Sequence, residues 1–186
     1  GYYIDRTLDL ISYSTQIIGA LQKHLENTRG TVRLLDKGAG TGAFSSSIKH
    51  ALQNAGKRLE ITSISLTRSI TPENRPSIAR ERIGIGLNMR HDTKYHVIID
   101  ITGEDWRLAK NDLRKPLEKS SSLLEKGGDI FTLVPIVSKP SEHNFTLPEL
   151  DDFTTDLLLS GKYFNVEHFG FKEKDTLYSL IHLVGV

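Results

Sequence analysis

The end of the chain sets the tightest limit on its fold. Residues 164–171 and 177–186 both read as apolar strands, and only Lys172-Glu173-Lys174-Asp175-Thr176 separates them. A parallel crossover needs about ten or more residues, usually a helix, so five polar ones can only turn the chain back on itself. The two runs therefore form an antiparallel hairpin. Everything before them alternates between strand and helix patterns. Leu8, Ile11, Ile18, Leu21 and Leu25 predict a leading helix over 5–27, ended by Asn27-Thr28-Arg29-Gly30. A strand over 31–36 leads through a glycine-rich turn into a helix carrying Phe44, Ile48, Ala51, Leu52 and Ala55, with Gly56 placed as a left-handed cap. Leu59, Ile61, Ile64 and Leu66 mark a second strand, 72–82 a short helix with proline in its first turn, and 83–89 a third strand. Residues 95–101, "YHVIIDI", are a near-continuous apolar run of the kind buried on both faces of a sheet.

Leu113, Leu117, Ser121 and Leu124 continue the alternation as a helix stopped by Gly127-Gly128, and 129–136 form a fifth strand. Thr146-Leu147-Pro148-Glu149 has capping-box form, and Leu150, Phe153, Leu157 and Leu158 extend a helical stripe to Gly161. Alternating strands and helices imply a parallel sheet covered on both faces. The expected class is α/β: a doubly wound, mostly parallel sheet with its last strand antiparallel and helices on both faces. At 186 residues the expectation is one domain, with 1–30 as the leading helix and 31–186 as the core.

Composition removes several functions. The 24 Lys+Arg balance 23 Asp+Glu, so no global field drives the chain onto nucleic acid or an anionic membrane. No apolar run approaches the roughly 18 residues that span a bilayer. Cysteine is absent, which excludes disulfides and thiolate metal sites and makes a reducing, cytoplasmic setting the simpler expectation. His91 and His96, and the adjacent Glu142-His143, do not form a ligand set, so no metal is expected. The abrupt start at Gly1 suits a piece of a larger polypeptide or assembly.

The turn after the first strand, "LLDKGAGTGAF", carries the chemistry. As Gly38-x-Gly40-x-x-Ala43 it fits a dinucleotide fingerprint, but that form continues with another crossover and wants an acid about twenty residues on. Here the second strand ends in Ser63-Ile64-Ser65-Leu66-Thr67-Arg68, without one. As Asp36-x-Gly38-x-Gly40-x-Gly42, together with "YHVIID", "LLEKGGDIFTLV" and the closing antiparallel pair, the chain resembles the class I S-adenosylmethionine (SAM)-dependent methyltransferase family over nearly its whole length. That resemblance implies a seven-stranded sheet with strand seven inserted antiparallel between strands five and six.

It also implies a set of site residues. Lys37, Gly38, Ala39, Gly40, Thr41 and Gly42 form the cofactor loop, where glycines admit close backbone approach and the helix start offers N–H groups to a carboxylate or ribose. Asp36 meets the cationic methionine end, or alternatively caps the helix; the Lys37 side chain points to solvent. Ser65 and Thr67 replace the family's ribose-binding acid with neutral hydroxyls. Asp92 fits the position that meets the adenine amino group, with a solvated loop aspartate as the alternative. Beyond the fourth strand lie Asp100, Glu104, Asp105 and Trp106, of which Asp100 and then Glu104 are the candidate catalytic or substrate-orienting residues. Asp100 is also counted among the cofactor contacts. Trp106 either covers the site or packs on the sheet, and His143 is a bystander or a base.

The acceptor is open. Arg68, Arg75, Arg80, Arg82 and Arg90, against Glu73 and Glu81, form a local basic excess that would suit RNA or a solvated face. Against the Lys-Asp-Lys-Glu tetrad of RNA ribose methyltransferases, Asp100 matches, Lys139 is a loose counterpart of the second lysine and Glu173 of the glutamate, and the first lysine has no clear counterpart, Lys23 sitting on the leading helix. The competing reading is a non-catalytic member of the fold that serves as a binding or scaffolding module, supported by Lys37 and the absent acid.

Overall fold

The computed structural model describes residues 10–101, 110–173 and 175–186. Seven strands, β1 (Val32–Lys37), β2 (Leu59–Ser65), β3 (Arg80–Ile83), β4 (Tyr95–Asp100), β5 (Leu124–Ile136), β6 (Tyr163–Glu173) and β7 (Thr176–Gly185), form one sheet in the order β3-β2-β1-β4-β5-β7-β6. Neighbours from β3 to β5 run parallel. β7 runs antiparallel to both β5 and β6, so the closing hairpin inserts its second strand inside the sheet. This is the expected architecture.

Side-chain alternation along β1 divides the core. Leu34 faces a layer with α1 (Leu10–Asn27) and α2 (Ala43–Ala51), where Ile17, Leu21, Phe44 and Ile48 meet Ile61, Val97, Ile99 and Phe131. Leu35 faces the other layer, where Leu117 of α3 (Arg114–Ser122) and Leu150 and Leu157 of α4 (Leu147–Leu159) meet Ile64, Ile98, Ile130 and Ile181. α4 starts at the predicted capping box: Thr146 accepts from the Glu149 amide, and the Glu149 carboxylate accepts from the Thr146 amide at 3.0 Å. Among the described residues, no helix is long and apolar enough to cross a membrane.

Between β2 and β4 the structure departs from expectation. The predicted helix over 72–82 is only a single 3-10 turn, Arg75–Ser77, and β3 occupies Arg80–Ile83. Pro72 and Pro76 explain the short turn, because each lacks an amide donor and biases its predecessor away from helix. β3 escapes a hydrophobic reading because it is an edge strand with no fully buried residue. The predicted third strand over 83–89 is a turn, with Gly84 at φ 147° and a 3-10 segment at Gly86–Asn88. β5 also starts earlier than 129: Leu124, expected on the helix, pairs with Tyr95, and the register then jumps so that Asp129 pairs with Val97. After α2 the left-handed residue is Gln53 at φ 51°, not Gly56. Gly56 is needed for close approach instead, since a Cβ there would lie 2.5 Å from the Lys49 carbonyl.

One polar cluster ties the leading helix to the sheet. His24 of α1 and His182 of β7 each place Nε2 2.7 Å from an oxygen of buried Asp129. Burial pushes the Asp129 carboxyl up, but the hydrogen bonds from His182 and His24 outweigh it and hold it below its ordinary value. Its contribution to stability is therefore present above the ordinary carboxylate range and is lost as pH falls through the lowered value. Asp129→Asn is expected to cost about 2 kcal/mol near neutral pH in urea unfolding, and the gap from wild type should narrow below about pH 4.

Candidate functional site

The strand order reverses between β1 and β4, and in open α/β sheets the crevice at that point, at the strands' C-terminal ends, collects ligands. The glycine turn lies there. Gly38, Gly40 and Gly42 take φ values of 81°, 55° and 83°, a left-handed conformation that side chains resist. The Gly38 and Ala39 amides donate to the Ile64 carbonyl at 2.7 and 3.3 Å, which locks the turn to the end of β2. A second segment braces it from outside: Ser69 Oγ donates to the Gly40 carbonyl at 2.7 Å, and both the Thr71 amide and Asn74 Nδ2 donate to the Thr41 carbonyl at 3.1 Å. A Cβ on Gly42 would come within 3.1 Å of Ile70, whereas over Gly40 nothing lies within 4 Å. The brace is tight at Gly42 and open at Gly40. α2 then begins with Gly42 as its N-cap and, among the described residues, no side-chain cap.

Consecutive residues of a strand face opposite ways, and the end of β1 turns this into charge separation. Asp36 is buried on the α1/α2 face and accepts a hydrogen bond from Ser45 Oγ in the first turn of α2. Lys37 goes to the other face. Contrary to the solvent-pointing expectation, it is buried: Nζ donates to Ser120 Oγ of α3 at 3.3 Å and lies 3.9 Å from Asp100 Oδ2. Asp100, at the end of β4, is itself 1% exposed, so its carboxylate lies under α3 rather than open to solvent.

Ser65 ends β2 and is 9% exposed, yet its hydroxyl oxygen is buried and has no hydrogen-bond partner among the described residues. Such an orphan is costly unless a ligand or water meets it. Thr67 is exposed, with only its carbonyl engaged, by Ser69 Oγ at 3.4 Å. Asp92 is exposed and pairs with Arg80 at 3.4 Å. Next to it His91 places Nδ1 3.0 Å from the Tyr95 hydroxyl and 3.3 Å from Arg82. Burial, then Arg82, Lys119 and Arg80, lower its pKa to about 4.

Other expected residues do not gather here. Glu104, Asp105 and Trp106 lie outside the described residues. Lys139 and His143 are exposed on the loop after β5, and Glu173 ends β6. Lys23 is exposed beside His24, whose partner Asp129 is level with Leu34 and Val97, well below the C-terminal ends. The tetrad is not assembled among the described side chains. The basic cluster is also largely engaged: Arg75 bonds Glu81 at 2.5 Å, Arg80 pairs with Asp92, and Arg82 contacts His91. Two contributors were missed by sequence reasoning. Ser45 follows Phe44 in the α2 stripe, and Ser120 lies one turn after Leu117 on the buried side of α3; a small polar residue at a core-facing helical position is the signal that would have found both.

No protein-family model matches the sequence, and no curated protein matches it. In structure the chain is similar to the DszA carbon methyltransferase, with a TM-score of 0.70 and 14% identity over 99% of this chain and 56% of that one. It is also similar to the N-methyltransferase NodS from Bradyrhizobium japonicum WM9, at TM-score 0.60 and 12% identity over 96% and 99%. A third is the magnesium protoporphyrin IX methyltransferase of Synechocystis PCC 6803 with bound SAM, at 0.63 and 9% over 100% and 86%. The chain spans only about half the length of the DszA and CurJ carbon methyltransferases, 56% and 54%. On these structural likenesses the chain has the class I SAM-dependent methyltransferase fold.

Proposed function

We propose that this chain is a SAM-dependent methyltransferase. The observation that carries the reading is the glycine turn: three left-handed residues at the end of the central strand, braced from outside and open over Gly40. The residues present fit the cofactor. Ser65 offers a partnerless buried hydroxyl where a ribose diol would be held, and a hydroxyl can donate to it or accept from it. The α2 amides suit the carboxylate, Asp36 lies beside them with its negative charge, and exposed Asp92 is assigned the adenine amino group. When bound, SAM supplies an electrophilic methyl group whose bond to sulfur breaks as the acceptor's lone pair attacks. The protein's part is then mainly to orient the acceptor in line and exclude water. Asp100, buried beside Lys37, is assigned a fixed-charge role, and Glu104 keeps the candidacy for the acceptor's proton.

The names of the similar structures give carbon, nitrogen and magnesium protoporphyrin as methylated partners of those proteins. With Arg75, Arg80 and Arg82 of the cluster meeting Glu81, Asp92 and His91, a small organic acceptor is the reading supported here over RNA. Methyl incorporation from labelled SAM should appear with small carbon, nitrogen or oxygen nucleophiles; incorporation into RNA alone would reverse the assignment.

Calorimetry with SAM and S-adenosylhomocysteine (SAH) tests the cofactor directly. Binding is expected, and none at millimolar concentration would instead make the chain a binding or scaffolding module. Ser65→Ala should weaken binding about fivefold, the worth of one hydrogen bond, while leaving stability unchanged or raised because the free chain loses only an orphan. A thermal scan alongside the titration reads both effects. Ser63→Ala, which removes the other orphaned hydroxyl of β2 at a fully enclosed position, should leave affinity alone.

A further inference from the structure

His96 lies where the sheet is irregular. The register of β4 with β5 jumps from Tyr95–Leu124 to Val97–Asp129, and its register with β1 begins only at Leu34–Val97, so His96 has no register partner on either side. Irregularities of this kind re-aim a side chain. Here the ring takes the place of the missing backbone partner: the Arg33 amide donates to His96 Nδ1 at 2.9 Å. The Arg33 guanidinium extends the same join, with Nε donating to the Lys94 carbonyl at 2.7 Å and Nη2 donating to Glu125 at 3.0 Å. One residue of β1 is thus held both to the lead-in of β4 and to the start of β5. An imidazole nitrogen that accepts carries no proton, so the ring is neutral, with its hydrogen on Nε2.

We propose that His96 is an acid-sensitive clasp: its neutral Nδ1 closes the N-terminal end of the β1–β4 seam, and a proton on that nitrogen opens it. The device is independent of the cofactor reading. Protonated, the ring presents an N–H to the Arg33 N–H, and the amide loses its acceptor. The surroundings favour the closed state at neutral pH. Burial lowers the His96 pKa, the His24 ring 5.7 Å away and Arg33 lower it further, and Glu125 opposes them. A histidine held below its ordinary value keeps the seam fully closed above that value and loosens it as pH falls toward the lowered one. The other charged groups around the seam are Lys94 before β4, Glu60 of β2 level with Arg33, and Asp129 of β5, which His24 of α1 and His182 of β7 both meet. Asp129, held below its own ordinary value, stays an anion throughout this range. A brace that does not titrate limits the movement: Arg58 donates to the carbonyls of Leu25, Thr28 and Gly30 and ties the end of α1 to the start of β2. Opening is therefore a local step at the seam.

The experiment is amide hydrogen exchange followed by NMR on the full chain, from about pH 7.5 to about pH 5, with rates corrected for their intrinsic pH dependence. Protection of the Arg33 amide should fall by about tenfold per pH unit once pH drops below the ordinary histidine value, until it reaches the lowered one, and the His96 ring should titrate at that lowered value. The Ala79 amide, which donates to the Ile61 carbonyl at 2.9 Å beyond β2, should show no such step. A matching step at Ala79 would mean global unfolding and would overturn a local clasp. His96→Asn keeps an acceptor oxygen at the same branch of the side chain and has nothing to titrate, so Arg33 protection should persist in it and be flat with pH. A pH step that survives in His96→Asn overturns the proposal, because the response then belongs to another group. Where that variant does not fold or does not hold the amide, wild type decides: Arg33 protection that stays constant while the His96 ring gains its proton overturns the clasp, and protection that falls as described supports it.

Discussion

β1 is hydrogen-bonded in parallel on both sides, to β2 through Val32–Lys37 and to β4 through Leu34–Asp36, and the chain order reverses across it. That constraint organises the rest. Crossovers on the two sides of β1 depart in opposite directions, so a crevice opens at its C-terminal end that no crossover fills. The backbone leaving β1 must bend at once into α2 without crossing that crevice, and three glycines at positive φ make the bend. The same strand sends Asp36 and Lys37 to opposite faces, which keeps their charges from simply neutralising each other.

Each of these buried charges is met by a partner from another element. Asp36 takes Ser45 of α2, Lys37 takes Asp100 of β4 and Ser120 of α3, and Asp129 takes His24 of α1 and His182 of β7. Desolvation offsets most of the attraction in such pairs, so they add little net stability relative to apolar packing. They penalise alternatives, because a shift of α1, α2 or α3 breaks a buried polar contact. The helices that flank the crevice are thereby pinned by polar contacts, while burial of Leu21, Leu34, Leu117 and Phe131 supplies the bulk of the driving force.

The sequence displayed the architecture wherever a local pattern had one physical meaning. Five residues between the last two strands permit only a hairpin, "YHVIID" permits only a strand buried on both faces, and Thr146 with Glu149 marks the start of α4. It failed at β3, whose residues Arg80–Ile83 are an edge strand with charged side chains and carry no hydrophobic signature. It failed again at Leu124, which suits a helix by spacing but is taken into β5 by pairing with Tyr95, a tertiary contact that spacing does not encode. At the site, the glycine turn was legible because its conformation restricts residue type. The fate of Lys37 was not: alternation along β1 already put it opposite Asp36, but whether that side was solvent or protein depended on where α3 packed.

The two departures from the resembling family act in the same direction. A neutral Ser65 stands where an acid is expected to hold the ribose, and a lysine lies beside Asp100 at the end of the adjacent strand. In the proposed reading, each lowers the negative charge available to a cationic cofactor, which leaves more of its recognition to shape. Shape is what the turn supplies: the Ile64 carbonyl fixes Gly38 and Ala39, Ser69, Thr71 and Asn74 fix Gly40 and Thr41, and Ile70 closes the space beside Gly42. A turn fixed at this many points has little backbone freedom left to lose, so in the proposed reading little ordering cost remains to be met on binding. In the proposed reading, such bracing offsets part of the charge that an acid at Ser65 would have supplied.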